Sequence, residues 1–213
     1  GRIANNPVCF QRVNALWVAV PVPLPASGWS TVIRAATVAE DGSVWACGRS
    51  SDFEPEPSQL VPVVYHYVAG TWTELPVTGA GNLNGVEMLG IATHGSGSQF
   101  VLRVACGATN GTTGAIFTFA AGQWTRDALP EPAGITGQPW SLAAIGRAPD
   151  GTWYAAGGRS DAPGGVLYSD DGVHGWQQLP GPAGYAGLQL NALAFDPEGY
   201  LWLAGNYPVG DSV

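Results

Sequence analysis

The sequence predicts an all-β chain, a four-bladed β-propeller built from four-stranded antiparallel blades. Three observations carry this. Tryptophans 17, 72, 124 and 176 recur at intervals of 55, 52 and 52 residues. Each follows an aromatic by seven or eight residues and precedes a proline: Phe10…Trp17…Pro21, Tyr65…Trp72…Pro76, Phe117…Trp124…Pro130 and Tyr168…Trp176…Pro180. No apolar stretch of useful length shows a 3.6-residue period, so almost no helix is expected. A self-similar unit of about 50 residues that holds four short strands has the size of one propeller blade.

The elements of the unit follow in order. The first strand contains Ile33–Thr37, Met88–Ala92, Leu142–Gly146 and Leu190–Ala194. Ala35, Gly90, Ala144 and Ala192 share one position, and Thr37, Ala92, Gly146 and Ala194 share another two residues on. These two positions lie on the same strand face. Small side chains there predict close packing of an innermost strand. A turn follows, marked by Asp41-Gly42, Asp150-Gly151 and Glu198-Gly199, where glycine supplies positive φ. The second strand ends on glycine: Val44–Gly48, Arg103–Gly107, Trp153–Gly157 and Leu201–Gly205. The third strand carries the aromatic. The fourth carries the tryptophan, which is expected in the core.

The repeats are out of phase with the chain. Residues 1–25 hold third and fourth strands, and residues 185–213 hold first and second strands. These halves are expected to share one blade and close a ring within a single chain, removing the sheet edges that template aggregation; the alternative is that two chains, or a longer parent chain, make a larger ring. Residues of about 29–78, 84–132 and 138–182 form the other blades of one domain.

Composition excludes several functions. The chain has 213 residues, 31 glycines, 17 prolines and nine tryptophans, with only 11% charged residues. All eight basic residues are arginine and the net charge is −8, without any basic run to meet phosphates, so nucleic acid is excluded. No apolar run approaches the roughly 20 residues of a membrane span. The first residues, Gly1–Asn6, do not read as a signal peptide. Cys9, Cys47 and Cys106 are too few and too scattered for a disulfide framework or a metal site, and read as buried small residues.

The third copy of the unit resembles the kelch motif through Gly157-Gly158, Tyr168 and Trp176-Gln177-Gln178-Leu179-Pro180. The other copies lose the double glycine, and phenylalanine replaces tyrosine at Phe10 and Phe117. Ser169–Trp176 resembles the Asp-box turn of sialidase-like propellers, with Val173 where that motif has glycine. The resemblance implies a propeller fold. It assigns no activity, because propellers host enzymes, lectins and scaffolds alike.

A search for chemistry finds no catalytic set. His66, His94 and His174 occupy unlike repeat positions and offer no zinc site. Glu54 and Glu56, and Asp170 and Asp171, read as solvated loop acids rather than a glycosidase pair. Arg34 is the single arginine on a first strand, and its counterparts Leu89, Ala143 and Asn191 do not reinforce it. No Gly-x-Ser-x-Gly elbow is present. Candidate binding residues are therefore Trp29, Trp140 and Tyr185, in the linkers that enter the first strands, with Arg49 and Arg159 after second strands. Exposed aromatics there would stack on sugars or anchor a protein; the alternative is that they cap the core between blades. The expectation is a non-catalytic module that binds a protein or glycan partner, without cofactor, nucleic acid or membrane insertion, in an extracellular or virion assembly. A sialidase-like hydrolase and a lectin with one site per blade are the alternatives.

Overall fold

A computed structural model describes residues 7–25, 30–51, 60–81, 83–108, 113–133, 135, 137–159, 164–180 and 188–206. Sixteen strands run along these residues. Strands β3 (Ser30–Val38), β4 (Val44–Ser51), β5 (Leu60–Val68) and β6 (Thr71–Glu74) form one four-stranded antiparallel sheet. Strands β7 (Val86–His94), β8 (Val101–Ala108), β9 (Ala115–Ala120) and β10 (Gln123–Arg126) form the second. Strands β11 (Ser141–Arg147), β12 (Trp153–Gly158), β13 (Gly165–Asp170) and β14 (Gln177–Gln178) form the third. Two hairpins, β1 (Val8–Val13) with β2 (Leu16–Pro21) and β15 (Gln189–Phe195) with β16 (Leu201–Asn206), are separate two-stranded sheets. The single helical element among the described residues is a 3-10 turn at Gly97–Gln99.

Local chemistry accounts for the hairpins. The β3–β4 connection closes through Ala39 N–H to Ser43 O, and the β11–β12 and β15–β16 connections repeat this at Ala148–Thr152 and Asp196–Tyr200. Gly42, Gly151 and Gly199 take positive φ there, as the acid–glycine pairs predict. The Asp41 carboxylate accepts Ser43 N–H at 2.9 Å, which holds the turn. The β5–β6 and β9–β10 turns are two-residue turns in which Ala69 and Ala121 sit at φ near 50° before a glycine.

Packing runs sheet to sheet. Cys9 and Val20 of the first hairpin pack with Val22, Ala46, Val63, Tyr65 and Trp72. Trp45, Cys47 and Val64 meet Met88, Val104, Phe117 and Trp124 of the next sheet. Ala105 and Ile116 meet Val166, Tyr168 and Trp176 of the third. Ala156 and Leu167 meet Leu190, Leu201 and Leu203 of the last hairpin. The sheets stand in chain order, facing sides buried on one another. The small residues of the first strands are needed at this seam: a methyl group added at Gly90 would lie 2.9 Å from Ala144 Cα. Cys47 and Cys106 are buried free thiols, as expected.

Among the described residues the hairpins β1–β2 and β15–β16 are separate two-stranded sheets, and the shared blade expected to close a ring is not seen. Trp17 is consequently not core. It is 68% exposed, whereas Trp72, Trp124 and Trp176 are 5–8% exposed. The alignment of the second copy also slides by one residue. Ile33 pairs with Gly48 and Leu142 with Gly157, but Met88 pairs with Cys106. Arg103 therefore stands where the other copies have Trp45, Tyr154 and Trp202.

Candidate functional site

Connections of two to six residues join strands at one end of the sheets, and connections of six to fourteen residues join them at the other. Each of the four first strands carries a β-bulge at the same place. The register shifts between Ile33 and Ala35, Met88 and Gly90, Leu142 and Ala144, and Leu190 and Ala192. A bulge leaves one residue out of the ladder and re-aims its side chain. Those residues are Arg34, Leu89, Ala143 and Asn191.

In the first whole sheet this geometry makes a charged cluster toward the long-connection end. Arg34 Nε donates to Glu87 Oε1 across the seam to β7. Arg49, near the end of β4, brings its Nε to 3.3 Å from the same oxygen. The Glu87 side chain is 11% exposed, while those of Arg34 and Arg49 are 41% and 31% exposed. A shielded carboxylate thus holds two guanidinium groups whose outer N–H donors reach solvent. Each guanidinium has five donors in a planar fork, so the cluster has donors to spare and a net positive charge on an acidic chain. The last hairpin repeats the arrangement in neutral form: Asn191 Nδ2 donates to Asn206 Oδ1. In the middle sheets the equivalent positions are Leu89 with Gly107 and Ala143 with Gly158, which have no polar side chain.

The sequence candidates divide. Arg49 enters this cluster, and Arg34 is reinforced by it after all. Trp29 and Tyr185 lie outside the described residues, as do Glu54 and Glu56. Arg159 closes the β12–β13 connection through its backbone N–H to Gly164 O at 3.1 Å. Trp140 is 5% exposed. Tyr168 stacks on it at 5.8 Å between ring centroids. A methyl group at Gly114 would come within 2.5 Å of the ring, so no open face remains for a sugar. Its edge lines a cleft of about 460 Å3 with Arg126, Asp127 and Glu131.

A second cleft, of about 470 Å3, opens at the short-turn end, lined by Glu40, His94, Arg147, Phe195 and Asp196 among others. Glu40 Oε1 lies 2.9 Å from His94 Nδ1, and Arg147 Nη1 lies 2.9 Å from the same nitrogen. Both acids are held below the ordinary carboxylate range, Glu40 first by Gly95 N–H and Asp196 first by the Trp202 indole N–H. His66 does not join them; it stacks on Trp45 at 4.0 Å, and burial lowers its pKa. Among the described residues no group of three or more His, Cys, Asp or Glu is placed to hold a metal ion.

The Asp-box-like turn is structural. Asp171 Oδ1 accepts the backbone N–H groups of Val173 and His174, and Trp176 Nε1 donates to Asp127 at 2.7 Å. Asp170 is buried rather than solvated. Its Oδ2 receives Arg103 Nη1 at 2.7 Å, and Arg103 lies over Trp153 and Trp176 at 4.8 and 5.2 Å. Sequence inspection missed Glu87 and Arg103. The available signal was a lone charge inside an otherwise apolar strand.

No family model and no curated protein sequence matches the chain. A solved structure is similar: the GH74 xyloglucanase from Xanthomonas campestris, with a TM-score of 0.53 and 18% identity over 91% of this chain. The chain spans 38% of that protein's length. The likeness shows the fold, an all-β arrangement of propeller type.

Proposed function

We propose that this chain is a non-catalytic propeller module that binds an acidic saccharide at Arg34 and Arg49. The observation that carries the reading is their convergence on the shielded Glu87, which fixes two half-exposed forks side by side. Arginine forks match carboxylate and sulfate geometry through paired N–H bonds. Glu87 cancels one of the two charges and leaves the outer donors for a ligand. The xyloglucanase neighbour supports a glycan over a protein as the partner.

Binding is favoured over hydrolysis. Glycoside hydrolysis needs two facing carboxyl groups, one kept protonated as the acid. Glu87 already serves two guanidiniums through one oxygen. In the opposite cleft Gly95 N–H and the Trp202 indole N–H lower the pKa of Glu40 and Asp196, opposite to what a general acid needs. A site in every blade is disfavoured because Leu89 and Ala143 replace Arg34 in the next two sheets.

Calorimetric titration with uronate-containing and neutral oligosaccharides tests this. Binding of the uronates, weakened at least tenfold by Arg34→Ala or Arg49→Ala and weakened by salt, is the expected result. Equal binding of neutral sugars by both variants and the parent, or binding of none, would refute it.

A further inference from the structure

The largest unexplained feature is apolar surface at the two ends of the arc. On β1–β2, Phe10, Leu16 and Trp17 are 64%, 71% and 68% exposed; at β15–β16, Tyr200 and Trp202 are 70% and 65% exposed. We propose that two copies of this chain join head to tail, β1–β2 of each completing the blade that β15–β16 of the other begins.

The half-blades are complementary strand by strand. In the three whole sheets the second and third strands pair in one register, Ala46 with Tyr65, Val104 with Phe117, and Ala155 with Tyr168. Strand β16 has the second-strand pattern and β1 the third. The same register places Leu203 opposite Phe10, Leu201 opposite Arg12, and Ala204 opposite Cys9.

The faces agree as well. β15–β16 already buries Leu190, Leu201 and Leu203 on the third sheet, and β1–β2 buries Cys9 and Val20 on the first whole sheet. In the joined blade Phe10 and Trp17 fall on the Leu201 and Leu203 side, against β11–β14 of the other copy. Trp202 falls on the Cys9 side, against β3–β6. Their equivalents in whole sheets are buried: Tyr65 and Tyr168 at 0%, Phe117 at 2%, Trp45 at 7%.

Charge complements the fit. Arg12 is the one charged residue of β1–β2, and the β15–β16 hairpin carries Asp196 and Glu198 without a base. Arg12 would lie opposite Leu201, beside that turn. Among the described residues the half-blades of one copy form separate sheets, and a second copy presents both complementary halves. Three whole sheets from each copy and two composite blades close a two-fold ring with no free edge, at the upper end of the usual four to eight blades.

The test combines mass and cross-linking on the 213-residue chain. Sedimentation equilibrium across micromolar concentrations is expected to give a dimer. Phe10→Asp or Trp202→Asp is expected to weaken it at least a hundredfold while circular dichroism keeps the strand signal. Ala204→Cys, oxidised beside the native Cys9, is expected to give a band at twice the monomer mass that Cys9→Ser abolishes. A monomer at all concentrations overturns the proposal. So does a disulfide formed within one chain, which would mean self-closure, or a dimer that neither cross-links nor responds to the substitutions. None of these outcomes bears on saccharide binding at Arg34 and Arg49.

Discussion

Trp17 and Trp124 stand at the same place in equivalent hairpins, β1–β2 and β9–β10. Trp17 pairs with Arg12 as Trp124 pairs with Phe119, and each follows a two-residue turn with positive φ. Yet Trp17 is 68% exposed and Trp124 is 5% exposed. The difference lies in the neighbour. Trp124 leans on the preceding sheet and donates Nε1 to Pro76 O at 3.2 Å. Trp176 does the same toward Asp127. Among the described residues no sheet precedes the hairpin of Trp17. The second strands show the mirror image. Trp45 stacks on Phe100, just before β8 of the following sheet, at 5.1 Å, and Tyr154 packs at a tilt against Phe195 at 5.4 Å, while Trp202 meets no following sheet among the described residues and donates to Asp196. A repeat of this kind cannot bury its own aromatics; the repeats on either side bury them.

The largest effect that would break this comparison concerns the tryptophans. Trp124→Ala should cost about 3–5 kcal/mol by denaturant unfolding, whereas Trp17→Ala in dilute monomer should stay within about 0.5 kcal/mol. Equal losses would show that the hairpin itself, not the neighbouring sheet, sets the stability.

Arg103 sharpens the same point with a charge. It reaches forward from the position of Trp45 and Trp202, between two indoles and onto Asp170. Arg103→Ala leaves the Asp170 carboxylate, 6% exposed at the side chain, without its cation. The cost should be about 3 kcal/mol, with a smaller loss for the double variant Arg103→Met, Asp170→Asn. At the arc's end, Trp202→Ala should change monomer stability little.

A smaller effect belongs to the seam of first strands. Gly90→Ala places a methyl group against backbone of β11 and should cost about 1–3 kcal/mol, measurable as a shift in thermal midpoint. Gly122→Ala meets no atom within 4 Å and bears only the strain of φ +78°, so about 1 kcal/mol is expected.

The smallest effect is electrostatic. Asp171 is held well below the ordinary carboxylate range, first by His174 N–H, then by the His174 side chain and Val173 N–H. A depressed folded pKa stabilises above the unfolded value of about 4 and is lost as pH falls below it. The thermal midpoint should therefore drop from pH 5 to pH 2, and Asp171→Ala should flatten part of that drop. An unchanged acid profile in the variant would remove Asp171 from the account.

Much of the fold was legible because its signals are local. Alternation along Ile33–Thr37, the Asp-Gly turns and the aromatic–tryptophan spacing each depend on a few neighbouring residues. The bulge at Arg34 left no mark, since a bulge is a property of two paired strands and the sequence shows one at a time. Glu87 was passed over for the same reason. Its meaning depends on two arginines from another sheet, and Arg34 alone read as unreinforced. For Trp140 the sequence left two readings, rim aromatic or cap of the core, because a linker position does not reveal whether Tyr168 and Gly114 close over it; its burial decides for the cap.

By itself the sequence determined the strands, their turns and the order in which repeats follow, because backbone preference and period-two patterning act within a few residues. The tertiary structure decided which equivalent residues are core and which are surface, and which distant charges meet. Those outcomes depend on what the neighbouring sheet presents, and the same tryptophan motif is therefore buried at Trp124 and bare at Trp17.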